Sequence, residues 1–313
     1  HWYRDSALIV DALRLASQDA AGSGIADGLA RAHLADFIRF SLALRQLDGR
    51  SLAASPLWRA RVAPQFAQYL RTDAQLAAVH GEAVAGETRV NPDGSLDISL
   101  WARPQHDGPA LRALTLLRWS ELDGLDAPLR ARLGELLRAD LAYTLAHAHE
   151  PCFDIWEEEQ GLHYYTVRVA AAALRLGASW LERNGEEPQA HACRTRAQAL
   201  TAMLDGFWLE QEGYYRSRIL PSTARSTKEL DIAVILATVH TDGDDIGGGG
   251  GSGSNGGGDG SARHSVHDPR MHATLARLTS LFDAEYAINR DRAVAHAPAM
   301  GRYAGDHYYS GGD

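Results

Sequence analysis

Cysteine is scarce in this 313-residue sequence, which contains only Cys152 and Cys193. Two cysteines set no disulfide framework and supply too few thiolates for a zinc site of the usual spacing. They leave two alternatives open, a single bridge between them or two reduced thiols in the core. The histidines are scattered, and HAHEPC (147–152) lacks ligands at a helical i,i+4 spacing with a third partner. We therefore expect a helix end at this segment and no metal site.

Positive charge and long apolar runs are also lacking. The formal net charge is −9 at pH 7, whereas binding to the phosphate backbone of nucleic acids needs clustered Lys and Arg. No apolar run approaches the roughly 18 residues of a membrane span, and no signal peptide is recognisable. We therefore expect neither a nucleic-acid nor a membrane partner. The sequence lacks an initiator Met and opens on HWYRDS, which is typical of a processed or excised piece.

Alternating strand patterns are few, and the best of them is the short SLDISLW (95–101). Helical periodicity dominates instead. Apolar residues recur at three- and four-residue spacing in the segments 6–18, 29–47, 56–80, 129–141, 167–181, 193–204 and 275–282. This pattern predicts an all-α chain of roughly ten helices, which we interpret as one domain over residues 1–313.

One segment, GGGGGSGSNGGGDGS (247–261), has too few apolar residues to pack against a core. It fits either a linker between domains or a flexible insertion. Because the flanks on both sides continue the helical pattern, we favour a surface insertion within a single domain.

The long loops contain clusters of Trp, Arg and Asp. The four clusters are WYRDS (2–6), SLWARPQHDGPALR (99–112), CFDIWEEEQG (152–161) and HAPAMGRYAGDHYYSGGD (296–313). Each alone is explained by a helix cap, turn chemistry or a solvated acidic face. Together they pair guanidinium and carboxylate groups, which bind vicinal hydroxyls, with aromatic faces that pack on a pyranose ring. Their repetition at helix–loop junctions predicts a sugar site.

Five segments carry a resemblance to a known family: WYRDSALIVDAL, LWARPQHDGPALRAL, FDIWEEEQGLHYYT, ATVHTDG and GRYAGDHYYSGGD. In order and spacing they resemble the glucoamylases, glycoside hydrolase family 15. The resemblance implies an (α/α)6 toroid of the six-hairpin glycosidase type and no cofactor. It also implies inverting, exo-acting release of β-D-glucose from the non-reducing ends of α-1,4-glucans such as starch and maltooligosaccharides. We expect a monomer, and a secreted or periplasmic location.

The resemblance also implies roles for individual residues. Glu157 matches the general acid, and Arg4 and Asp5 match the pair that binds the terminal glucose. Trp101 matches an aromatic that packs over the site and steadies the acid, while Glu158 and Arg302 match groups that hold the next sugar. The further substrate-binding residues are Trp2, Arg103, Asp107, Ile155, Trp156, Tyr303, Asp306 and Tyr308. Ile155 stands where the family often has Leu, and the extra acid Glu159 is expected to be solvated.

An inverting glycosidase needs a second carboxylate about 6.5–9.5 Å from the acid to activate water. The resemblance places that base beyond Asp313 and a first helix upstream of WYRDS, so we expect a toroid that is incomplete at both ends. For the isolated chain we expect weak or no turnover with residual sugar binding. The alternatives are a glucodextranase or trehalase-like glucosidase, a non-hydrolytic glucan-sensing domain, and a helical scaffold without a site.

Overall fold

The computed structural model describes residues 1–19, 24–221, 225–241, 263–290, 293 and 296–306. Helices dominate this part of the chain. They are α1 (Tyr3–Asp19), α2 (Gly24–Leu44), α3 (Arg50–Ala53), α4 (Asp73–Ala77), α5 (Asp107–Ser120), α6 (Ala127–His147), α7 (Tyr164–Arg183), α8 (Glu187–Leu204), α9 (Ala233–Thr241), α10 (Pro269–Glu285) and α11 (Ala287–Arg290). Among the described residues, none of these helices has the length and apolar character that crossing a membrane requires.

Short strands form two small sheets beside the helices. The strands are β1 (Cys152–Phe153), β2 (Gln160–His163), β3 (Trp208–Leu209), β4 (Tyr214–Tyr215) and β5 (Arg218–Ile219). In the first sheet β2 lies between β1 and β5 and is antiparallel to both, whereas β3 and β4 pair with each other. Strands of two to four residues are too short to show a period-two pattern, so the sequence did not predict them.

The core is built around α5 and α7. Helix α7 is buried along most of its length and packs against α5, α8 and α9, while α5 also packs against α1 and α6. A helix that is apolar on most sides is stable only when neighbours cover it all round. Gly177 allows close packing on α6, because a Cβ there would lie 2.4 Å from Leu141 Cδ2.

Most of the helices predicted from the apolar pattern are present in the structure, and one is absent. Helices are present in the predicted segments 6–18, 129–141, 167–181, 193–204 and 275–282, α2 covers most of 29–47, and α6 ends at His147. The helix predicted over 56–80 is wrong.

Two 3-10 turns, Pro56–Arg61 and Pro64–Tyr69, precede the short α4 in that segment, because each proline ends a run of backbone hydrogen bonds. The alternating segment 95–101 forms no strand, and within it Ser99 makes a single bridge, to Leu70. Cys152 and Cys193 are both free and buried. The Gly/Ser tract 247–261 lies outside the described residues.

The amino-terminal ends of α1, α5 and α7 lie close together. Arg4 in the first turn of α1 bonds Asp107 in the first turn of α5, and the loop before α7 reaches Trp2. Because helix amino termini carry partial positive charge, this end of the molecule favours carboxylates.

Candidate active site

Glu157 occupies a strained turn that Asp154 stabilises. The buried Asp154 accepts the backbone N–H groups of Glu158 at 2.7 Å and Glu159 at 3.1 Å, and its own carbonyl accepts the N–H of Glu157 at 3.0 Å. Glu157 has φ 67°, a left-handed conformation that costs a non-glycine residue about 1–2 kcal/mol. The turn is therefore over-determined by its hydrogen bonds, and strain of this kind is found at functional sites.

Arg218 anchors the same turn from below. Its buried guanidinium contacts Asp154 at 3.1 Å, Glu159 at 2.7 Å and Asp231 at 2.5 Å. Glu159 also accepts a hydrogen bond from Ser226 at 2.7 Å, and these bonds outweigh the effect of partial burial and lower its pKa. The expectation that Glu159 is merely solvated is therefore wrong, because Arg218 and Ser226 both bind its carboxylate.

The Glu157 carboxylate has a donor at each oxygen. Trp2 donates its indole N–H to Oε1 at 3.1 Å, and Trp101 donates to Oε2. Arg4 Nη2 lies 3.8 Å from Oε1. All three groups are placed to interact with negative charge on this carboxylate.

Arg4 is held by the loop that leads into α5. Its Nη1 donates to Asp107 at 2.9 Å and to Gln105 at 3.1 Å. Burial alone would lower the pKa of Arg4, but Asp107 and, less strongly, Asp5 raise it. Asp107 Oδ1 is buried and has no hydrogen-bond partner among the described residues. This oxygen is an unpaired acceptor enclosed by the protein beside the Arg4 guanidinium.

A second group of side chains surrounds Glu158. Lys228 Nζ lies 2.6 Å from Oε2, Arg302 Nη1 lies 3.1 Å from Oε1, and the Tyr303 hydroxyl donates to both oxygens at 2.6 Å. Burial raises the pKa of Glu158, but these hydrogen bonds and charges lower it overall. Asp306 in turn pairs with Arg302 at 2.5 Å. Glu158 is therefore a fixed anionic acceptor.

Sequence reasoning missed Lys228. Lys228 is the single lysine among the 31 Lys and Arg residues of the sequence. This unusual occurrence was the only feature of the sequence that could have pointed to Lys228. Asp231 was also missed: it accepts the indole N–H of Trp156 at 2.9 Å, and burial raises its pKa to about 6 despite Arg218.

The remaining predicted residues lie around these contacts. Asp5 is exposed in the first turn of α1. Arg103 turns away from Glu157 and bonds Glu87 and Asp97, each at 2.7 Å. Ile155 is buried in the main core, and Tyr308 lies outside the described residues. The structure thus brings Trp2, Arg4, Trp101, Asp107 and Glu157 together, with Glu158, Arg302, Tyr303 and Asp306 beside them.

Metal ligands do not gather here or elsewhere in the described part of the chain, which contains no group of three or more His, Cys, Asp or Glu side chains able to hold an ion.

Comparison with known proteins agrees with this geometry. Glucoamylase 1 of Rhizopus oryzae is 29% identical over 232 residues, which is 73% of this chain and 36% of that protein. A probable glucoamylase of Schizosaccharomyces pombe is 27% identical over 229 residues, or 71% of this chain and 44% of that protein. The chain thus spans well under half the length of these curated relatives.

Solved structures show the same fold. The glucoamylase of Saccharomycopsis fibuligera matches with a TM-score of 0.72 at 22% identity, over 100% of this chain and 59% of that one. The family 15 glucoamylase of Hypocrea jecorina also matches at 0.72, with 23% identity, over 98% of this chain and 44% of that one. The prediction of an all-α chain of the (α/α)6 toroid type is confirmed. The family model described as glycosyl hydrolases family 15 matches residues 46–313. Since this match covers well over half of the sequence, the chain belongs to glycoside hydrolase family 15.

Proposed function

We propose that the protein hydrolyses α-1,4-linked glucans from their non-reducing ends, with inversion, and that Glu157 is the general acid. The observation that carries the proposal is the pair of indole N–H groups, from Trp2 and Trp101, on the two oxygens of Glu157. Glu157 is also held in a left-handed turn, and backbone strain of this kind clusters at active sites.

Proton transfer fits this arrangement. Glu157 donates a proton to the glycosidic oxygen as the bond to the anomeric carbon breaks. The indole hydrogen bonds and the Arg4 charge strengthen as the carboxylate becomes negative, so they lower the energy of the transition state more than that of the bound substrate. The contribution of a general acid is typically 10²- to 10⁴-fold in rate.

Inversion requires a second carboxylate that activates water on the opposite face of the sugar ring. Glu158 is engaged by Lys228 and Arg302, and Glu159 is engaged by Arg218. Both also lie in the same turn as the acid, so neither is free for this role. The proposal therefore assigns the base to a carboxylate outside this turn.

Substrate binding follows from the remaining contacts. Arg4 and the exposed Asp5 hold the hydroxyls of the terminal glucose, and the buried Asp107 fixes the Arg4 guanidinium. Glu158 and Arg302 bind the next sugar. Trp101 is 44% exposed, and the face of its ring packs against the glucan. We further propose a monomer that acts outside the cytoplasm, where a glucan polymer is accessible.

Glucose release tests the proposal, with the protein as it is naturally produced and with residues 1–313. The substrates are maltose, maltotriose, isomaltose and trehalose, and NMR identifies the anomer released first. With the naturally produced protein we expect β-glucose from the α-1,4-linked substrates, and a loss of about 10²- to 10⁴-fold in Glu157→Gln with sugar binding preserved. With residues 1–313 alone we expect weak or no glucose release, with sugar binding preserved. Glu182→Gln, at the far end of α7, is the matched control. Full activity in Glu157→Gln, or initial release of α-glucose, would contradict the proposal.

A further inference from the structure

Arg89 lies against both indoles that bind Glu157. Its guanidinium carbon is 4.2 Å from the ring centroid of Trp101 and 5.2 Å from that of Trp2. The backbone of Arg89 also pairs with Trp2 in an antiparallel bridge. A single cation therefore contacts the faces of the two rings whose N–H groups meet at one carboxylate.

A buried carboxylate fixes the position of this cation. Arg89 Nε donates to Asp97 Oδ2 at 2.8 Å, and the same oxygen accepts Arg103 Nη2 at 2.7 Å. Burial opposes the ionisation of Asp97, but the hydrogen bonds from Arg89, from the Ser99 backbone and from Arg103 outweigh it and lower the pKa. Asp97 therefore stays charged and holds the Arg89 guanidinium against the rings.

A cation over an indole face draws the π electrons toward itself. The N–H, which lies at the edge of the ring in its plane, becomes more positive and a stronger hydrogen-bond donor. A stronger donor gains most when its acceptor is an anion. These hydrogen bonds therefore become stronger as Glu157 loses its proton, and they are weaker while Glu157 is protonated.

We propose that Arg89 is a positioning residue for the acid: it orients and polarises the indoles of Trp2 and Trp101 so that both donate to Glu157. This inference rests on the proposed role of Glu157. Arg89 also covers one face of each ring, so a sugar can stack only on the other face.

The other charges near Glu157 act separately. Arg4 approaches Oε1 directly at 3.8 Å. Asp154 and Glu158 lie in the same turn, but Arg218 pairs with the first and Lys228 with the second. Arg89 differs from all of these because it acts only through the two rings, and this difference makes a spectroscopic test possible.

The test uses indole N–H signals in ¹H–¹⁵N NMR spectra of the full chain. The seven tryptophans give seven indole signals, which single Trp→Phe variants assign. In Arg89→Met we expect the Trp2 and Trp101 proton signals to move upfield, as they do when a hydrogen bond weakens, while the other five stay in place. Arg89→Lys, which keeps the charge, is expected to restore part of the shift, and Arg89→Gln is a second uncharged variant.

Arg59→Met is the matched control. Arg59 lies 4.3 Å over the ring of Trp58 and pairs with Asp73, away from Glu157. It should move the Trp58 signal alone. Unchanged Trp2 and Trp101 signals in both Arg89→Met and Arg89→Gln would overturn the inference.

Kinetics give a second readout. Loss of polarisation should lower kcat about tenfold, the equivalent of one weakened hydrogen bond to a charged group, with KM nearly constant. A loss of thermal stability with kcat unchanged would reduce Arg89 to a structural residue. If the signals shift but the naturally produced protein releases no glucose, the positioning stands and the proposed hydrolysis fails.

Discussion

Lys228 places its ammonium 2.6 Å from the Glu158 carboxylate, although the two residues are 70 positions apart in the sequence. The same ammonium lies 4.8 Å from the ring centroid of Tyr303, whose hydroxyl also binds Glu158. Lysine and tyrosine thus hold one acceptor from two sides. If Glu158 binds the second sugar, the position of the Glu158 carboxylate depends on Lys228.

Replacing Lys228 by Met should weaken binding of maltose more than binding of glucose. Glu158 would keep Arg302 and Tyr303 but lose one cation, and because the ion pair is partly exposed we expect about 1 kcal/mol, or roughly fivefold in KM. Lys228→Arg should retain most of the affinity. Steady-state kinetics on maltose and calorimetry with glucose measure the two effects.

The control is Arg183→Met, which breaks an exposed ion pair with Glu121 at the far end of α7. Equal losses for glucose and maltose in Lys228→Met would argue against a role at the second sugar.

Removing Asp140 should destabilise the fold without altering the site. Arg112 donates to its two oxygens at 2.8 and 2.7 Å, and both side chains are almost fully buried between α5 and α6. Asp140→Ala leaves a buried charge unpaired, which typically costs about 3–5 kcal/mol. Denaturant unfolding measures the loss. The double variant Arg112→Met/Asp140→Leu should recover most of it, and a single variant as stable as the parent would contradict the expectation.

Stability should fall below neutral pH because of His106. Burial, and then the charge of His147, lower the pKa of His106 to about 4, against the nearby acids Glu150 and Asp107. The unfolded chain binds this proton near pH 6.5, so between pH 6.5 and 4 the unfolded state holds more protons and stability decreases as the pH falls. Above pH 6.5 the contribution is fully present. Its size is about 3 kcal/mol over this window.

His106→Gln should therefore flatten the pH dependence of the unfolding free energy between pH 6.5 and 4. Glutamine can still bond the Tyr143 hydroxyl, which lies 2.9 Å from His106 Nδ1. The exposed His33→Gln is the control and should leave the slope unchanged. Parallel curves for His106→Gln and the parent would contradict this assignment.

Two helical glycines should respond to alanine with opposite signs. At Gly177 a Cβ would lie 2.4 Å from Leu141 Cδ2, so α6 and α7 must separate, at a cost of about 1–3 kcal/mol. At Gly28 in α2 nothing lies within 4 Å, and alanine should stabilise the helix by about 0.5–1 kcal/mol. Thermal unfolding of the two variants checks the signs, and a shift in the same direction for both would show that packing at Gly177 adapts.

The sequence motifs predicted more of the site residues than the apolar periodicity did. Trp2, Trp101 and Glu157 each stand in a recognisable segment, and the structure brings them together. Arg89, Lys228 and Asp231 belong to no such segment, and each contacts a partner far away in the sequence: Trp2, Glu158 and Trp156 respectively. Contacts of this kind depend on packing, which apolar periodicity does not encode.

Local patterns failed where distant partners or proline decided the structure. Glu159 has the surroundings of a solvated acid until Arg218, 59 residues away, is placed beside it. The apolar spacing over 56–80 fits a helix, but Pro56 and Pro64 divide that stretch into short turns. Long helices such as α6 and α7 were predicted well because their apolar stripes persist over many turns.

The place of the single lysine has a practical consequence for handling the protein. Reagents that couple proteins through lysine side chains would find a single lysine, Lys228, within this sequence. Coupling to a resin or a dye through Lys228 would tether the molecule beside Glu158. Thiol coupling offers no alternative, since both cysteines are buried. To keep the site open, an immobilised form of residues 1–313 needs an attachment point added elsewhere. This point should lie on the surface, far from the amino termini of α1, α5 and α7.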